Sequence, residues 1–187
     1  MTTSTDLHRI AVFCASRPGL DDALTKAAYD AGHWLASHGI GVVYGGGGSG
    51  LMGSVSSGAL DAGGEVIGVI PQSMIDREWG RHDITELLVV DTMHERKALM
   101  AQYADAFLVL PGGLGTLEEF FEVWTWRTLG YHDKPIGLLD IGDFWQPTLA
   151  AVQAMVAQDF IADRTLADLV VGTTMDEVVE NLRRKAR

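Results

Sequence analysis

Cysteine is nearly absent. Cys14 is the only one in 187 residues, so neither an intrachain disulfide nor a cysteine-built metal site is available. Positive charge is also short: the formal net charge is -11, which speaks against broad binding to nucleic acid or to an anionic membrane. A phosphate-bearing ligand must then be held locally, by loop amides and a few cations. No apolar run reaches the roughly 18 residues of a membrane span. The opening MTTSTDLHRI has no apolar core of signal-peptide length, and the expectation is a cytoplasmic protein. Repeats, linkers and low-complexity segments are missing too, so residues 1–187 are expected to form one domain. The histidines show no metal-ligand spacing; HERKA (94–98) lacks the second histidine of a zinc helix, and no metal is expected. No G-x-S-x-G elbow is present, and no Gly-Lys-Ser/Thr follows the glycine run.

What is present is an alternation of short apolar runs and helical patterns. Strands are expected at 9–14, 41–44, 65–70, 86–90, 106–110 and 135–140, with a short one near DLVVG. Helices are expected at 20–38, 51–63, 91–104, 116–130, about 143–158 and 175–185, with 72–85 irregular. The strands are continuously apolar rather than alternating, the pattern of a parallel sheet covered on both faces. Ligands on such sheets bind beyond the carboxyl ends of the strands, so the informative loops are 15–19, 45–50, 71–81, 91–97 and 111–119.

GGGGSGLMG (45–53) contains G-x-G-x-x-G twice, but it follows the second strand and no acidic residue ends the third, where VIPQ stands. The remaining expectation is simpler: glycines such as Gly46 and Gly47 let a ligand approach the backbone, beside a helix N-terminus with unpaired amides. PGGLGT (111–116) repeats that logic as a phosphate cradle. Thr116 to Glu119 fits a capping box, as does Thr92 to Glu95. Glu119 is therefore either a cap or a carboxylate at the mouth of an anion site, and spacing leaves both open. Arg96 and Lys97 fall in the first turns of a helix, where the dipole opposes them; they are either solvated charges or part of a phosphate site. Phe120, Phe121, Trp124 and Trp126 have helical spacing and read as core or a subunit interface.

The pair MHERK (93–97) and PGGLGTLEE (111–119) resembles the LOG family, the cytokinin riboside 5'-monophosphate phosphoribohydrolases long labelled as lysine decarboxylases. The likeness extends over VFCAS (12–16), VYGGGGSGLMG (43–53), GVIPQSM (68–74) and LGYHDKPIGLLD (129–140). It implies an α/β, three-layer Rossmann-like fold: a doubly wound parallel sheet of about seven strands with helices on both faces, assembled as a homodimer. It also implies hydrolysis of the N-glycosidic bond of an adenosine 5'-monophosphate without a cofactor. Arg96 and Glu119 would be catalytic. Glu78, Lys97, Thr125 and the stretch Gly113, Leu114, Gly115, Thr116, Leu117, Glu118, Glu119 would complete the nucleotide site. The decarboxylase label fits poorly, since none of Lys26, Lys97, Lys134 and Lys185 sits in a recognisable pyridoxal phosphate setting.

Overall fold

The first strand among the described residues is the central one. In the computed structural model, which describes residues 7–77 and 79–186, β1 (Arg9–Phe13) pairs on one side with β2 (Gly41–Tyr44) and on the other with β5 (Ala106–Val109). The sheet extends outward through β3 (Val66–Pro71) and β4 (Glu86–Val90) on one flank, and through β6 (Ile136–Leu139) and β7 (Val170–Gly172) on the other. The order is β4-β3-β2-β1-β5-β6-β7, and every pairing is parallel. The helices are α1 (Asp22–Ser37), α2 (Gly50–Asp61), α3 (Gln72–Ile75), α4 (Met93–Tyr103), α5 (Leu114–Thr128), α6 (Gln146–Ala157), α7 (Asp163–Asp168) and α8 (Met175–Lys185). This is the doubly wound, three-layer arrangement expected from the sequence.

Strand parity explains why the strands read as unbroken apolar runs. Ile10, Val12, Val42, Tyr44 and Leu108 meet α1, α2 and α8 through Ala28, Leu35, Val55 and Val178. Ala11, Phe13, Val43, Ile67 and Phe107 point the other way, onto Met100, Phe120, Val123 and Val152 of α4, α5 and α6. The first layer is thin because α1 and α2 cross almost in backbone contact. A Cβ on Gly32 would lie 1.9 Å from the Val55 carbonyl oxygen, and one on Gly58 2.0 Å from that of Tyr29. Only hydrogen fits at either place.

Several boundaries differ from expectation for local reasons. α1 starts at Asp22 because Asp21 caps it, its side chain accepting from the Ala23 amide at 2.9 Å. Pro71 does not stop β3 but pairs opposite Val90, since its missing N–H is not needed there. The stretch 72–85 holds one helical turn, α3, and α7 was not foreseen. The consequential shift is in α5. It begins at Leu114, not at 116, with Gly113 as its cap and no side-chain cap. Of the two roles left open for Glu119, the capping box with Thr116 is therefore not made: both residues lie inside the helix. Thr116 turns its hydroxyl into the space a Cβ on Gly112 would fill, 2.0 Å from it. The twin pattern does form its box, with Glu95 Oε2 accepting from the Thr92 amide at 3.0 Å and Thr92 Oγ1 from the Glu95 amide at 3.1 Å.

Candidate functional site

The chain reverses its winding direction between β1 and β5, and a cavity of about 790 Å³ opens at the carboxyl edge there. All five loops singled out from the sequence reach it. It is lined by Cys14 to Arg17 after β1, Gly45, Gly47 and Ser49 after β2, Met74 and Trp79 after β3, Met93 and Arg96 of α4, and Gly113 to Thr116 with Glu118 and Glu119 of α5.

Arg96 organises the floor. Despite its charge it is only 4% exposed. Its Nε donates to the Val69 carbonyl at 3.0 Å and its Nη2 to the Gly45 carbonyl at 2.8 Å, so it ties the ends of β3 and β2 together. Nη1 lies 3.5 Å from Glu119 Oε1. Gly45 has to be glycine for this, because a Cβ there would sit 1.8 Å from Nη2.

Glu119 is 5% exposed, and its one ion pair among the described residues is with Arg96. Burial pushes its carboxyl up from the ordinary 4.5 to about 7; Arg96 pulls down, Glu118 pushes up, Lys97 pulls down and Glu122 pushes up. The cavity thus holds a carboxyl that changes charge near neutrality. Burial, then the Glu119 charge, raises the neighbouring Cys14 thiol far above its usual range, against the pull of Arg96, and leaves it unreactive.

Lys97 is buried on the other side of α4. Its Nζ is bonded to Glu118 Oε1 and lies 2.9 Å from Glu122 Oε2. Burial alone would depress its pKa, but the two carboxylates outweigh it and hold the lysine above its ordinary value. Neither cation of the HERK stretch is a solvated surface charge, and Lys97 does not line the cavity.

The two glycine loops do different things. With Gly113 as cap, the first intrahelical bond of α5 is Leu117 N to Gly113 O at 3.0 Å, so the amides of Leu114, Gly115 and Thr116 have no intrahelical partner. Gly113, Leu114 and Gly115 are exposed, which leaves an open anion-receiving end. The 45–50 loop is largely taken up by protein. Gly46 is buried at φ 74° and its carbonyl accepts from Arg81 N at 2.9 Å; Gly47 bridges to Gly80; Gly48 N donates to the Trp79 carbonyl at 3.3 Å. Gly45 and Gly47 line the cavity and Gly46 does not. Leu117 lies within α5, Thr125 is on its exposed face, and neither lines the cavity. Glu78 lies outside the described residues. Trp79, Met93 and Arg17 line the cavity without having been singled out; the available signal was a lone tryptophan in the polar stretch DREWGRHD. Among the described residues, no group of three or more His, Cys, Asp or Glu side chains could hold a metal ion.

Residues 52–182 match the family model described as "Possible lysine decarboxylase". The chain is 46% identical over 175 residues to the cytokinin riboside 5'-monophosphate phosphoribohydrolase LOG of Oryza sativa subsp. japonica, covering 94% of this chain and 72% of that one. It is 42% identical to the cytokinin riboside 5'-monophosphate phosphoribohydrolase of Rhodococcoides fascians, covering 93% and 88%. Among solved structures, the molybdenum cofactor binding protein of Rippkaea orientalis superposes with a TM-score of 0.71 at 20% identity, covering 97% of this chain and 98% of that one. At that identity the likeness is one of fold alone.

Proposed function

The chain belongs to the LOG family, and from that membership and the cavity's geometry we propose that it hydrolyses the N-glycosidic bond of an adenosine 5'-monophosphate, plain or N6-substituted, releasing the free base and ribose 5-phosphate. The observation that carries this is Glu119: a buried carboxylate on the floor of a cavity whose other asset is a set of unpaired helix amides. Breaking such a bond builds positive charge on the ribose. A fixed carboxylate in a largely dry site stabilises that charge far better than water does. The amides of Leu114, Gly115 and Thr116 hold the 5'-phosphate, which positions C1' over Glu119. Water then adds its oxygen to C1', the C–N bond electrons leave with the base, and the proton released from water balances the charge on the base.

Arg96 stays charged at any working pH, so its part is electrostatic. Its two carbonyl bonds fix where Glu119 can rest. Lys97 acts one step back, as a positioning residue that locks α5 to α4 through Glu118 and Glu122. Lys97→Met is expected to lower kcat about 10- to 100-fold, the scale of a misplaced reacting group, with the KM for AMP nearly unchanged. Its acid limb should move to higher pH, because the lysine charge lowers the Glu119 pKa. A large rise in KM with normal kcat would instead make Lys97 a phosphate ligand.

The decisive assay incubates purified protein with AMP and with N6-isopentenyladenosine monophosphate and follows free base by chromatography. Saturable binding of both without release would reduce the protein to a nucleotide-binding module. We also propose that it works as a cytoplasmic homodimer of one hydrolase domain. Phe121, Leu129 and Tyr131, exposed on α5 and just beyond it, support an interface there. A sedimentation mass of one chain, or recovery with the membrane fraction, would count against this.

A further inference from the structure

We infer that Trp79 is a specificity-determining residue, whose indole forms the wall against which an apolar N6 substituent of the base packs. This rests on the nucleotide reading above. The cavity has two chemically unlike ends. The free amides of α5 lie at the β5 side, whereas Met52, Ile70, Met74 and Trp79 line the side toward β2 and β3. In the order β3-β2-β1-β5, those ends are three strand spacings apart, about 14 Å at about 4.8 Å per spacing. Arg96 and Glu119 sit between them, since Arg96 reaches the ends of β2 and β3 and Glu119 hangs from α5. An anion held at the first end therefore leaves the sugar near Glu119 and sends the base toward the second.

Trp79 is fixed where it stands. Its N–H donates to the Met74 carbonyl at 3.2 Å and its carbonyl accepts from Gly48 N at 3.3 Å. Gly80 bridges to Gly47, and the next residue, Arg81, anchors on α2 through Gly53 O at 3.0 Å, Ser56 Oγ at 2.9 Å and Ser57 Oγ at 2.7 Å. The Arg77 guanidinium lies 5.4 Å from the ring centroid. Yet the residue is 53% exposed at a cavity wall, so a residue whose backbone is held this firmly leaves its indole uncovered by the described chain. Its neighbours at that end are thioethers and an isoleucine. Thioethers are flexible and polarisable and adapt to alkyl and aromatic groups alike. Met52, Ile70 and Met74 offer no strong hydrogen-bonding side chain to an unsubstituted amino group, so desolvating plain adenine there is less favourable than burying an alkylated one.

The test compares kcat/KM for N6-isopentenyladenosine monophosphate and for AMP in the wild type, Trp79→Ala and Trp79→Phe. Trp79→Ala should lower the value for the isopentenyl nucleotide by about tenfold or more, the scale of losing one apolar contact to the substituent in a specificity pocket, mainly through KM. The value for AMP should fall much less, and Trp79→Phe should recover most of the loss. Equal losses on both substrates, or none, would overturn the assignment. A parallel titration reads tryptophan fluorescence as isopentenyl nucleotide is added. If the wild type releases base from neither nucleotide, it is the hydrolase reading that fails. Quenching present in the wild type and absent in Trp79→Phe would still sustain the contact, and quenching identical in both would refute it.

Discussion

Glu119→Gln is expected to stop base release while making the protein more stable at alkaline pH. Loss of the carboxylate removes the charge proposed to face the developing ribose cation, and kcat should fall by about 10³-fold, the scale of losing one preorganised electrostatic group. AMP binding, carried by the α5 amides, should persist in calorimetry. The stability change follows from the direction of the pKa shift. In the fold the carboxyl titrates at about 7 instead of 4.5. Between those values the native state keeps a proton that the unfolded chain has released. Stability from the neutral carboxyl is fully present below about pH 4.5 and is lost as pH rises to about 7. Above that, the fold carries a buried carboxylate at a cost of about 3 kcal/mol, the free energy that corresponds to raising it from 4.5 to about 7. Glutamine removes this cost, in which the attraction of Arg96 is already counted, so the gain should be about 3 kcal/mol, or about 6–12 °C in Tm at pH 8.5. Below about pH 4.5 the gain should vanish. The same ionisation predicts that wild-type kcat/KM rises with pH and levels off above about 7. Base release by the variant within tenfold of wild type would remove Glu119 from the chemistry; a Tm gain that does not depend on pH would refute the charge account.

Gly45→Ala should damage both the fold and the site. The new Cβ would lie 1.8 Å from Arg96 Nη2, a group that cannot simply swing aside because its other nitrogens are bonded to Val69 O and paired with Glu119. Displacing a buried, bonded guanidinium costs about 3–5 kcal/mol, and moving Glu119 with it should lower activity by about 100-fold or more. Gly47→Ala is the control. Its Cβ would meet the flexible Met52 Sδ at 3.2 Å, a neighbour able to give way. Thermal melts and base-release rates that fail to separate the two variants would contradict this account of Arg96.

How far the sequence led is clearest in the two capping-box patterns. Thr92-x-x-Glu95 formed as read because nothing distant competes with it. Thr116-x-x-Glu119 did not, because Gly112 leaves room for the Thr116 hydroxyl and lets the helix start at Leu114. Spacing alone left open what became of Glu119, which caps nothing and is buried. β2 and β4 were legible to the residue, their runs being short, apolar and bounded by turn signals. The adverse placement of Arg96 and Lys97 was legible as well, but their partners were not. Gly45 lies 51 residues from Arg96, and Glu118 21 residues from Lys97; only the folded sheet brings them together. Trp79 was illegible for a related reason. Its position depends on a glycine loop some 30 residues earlier, whose amides spacing alone would offer to a ligand and which the chain uses to hold itself.

A central strand whose second neighbour lies nearly a hundred residues later has a consequence for the ribosome-bound chain. One edge of β1 can be satisfied early by β2, but Ile10 faces Ala106 and Phe13 faces Val109 across the other. Until nearly a hundred further residues have emerged, that flank is a bare row of amides and carbonyls bordered by apolar side chains, a template for wrong pairing. Nascent fragments ending before residue 106 should therefore be the forms most dependent on chaperones, and insertion of β5 is the event that both closes the hazard and brings the α5 amides to Glu119's cavity.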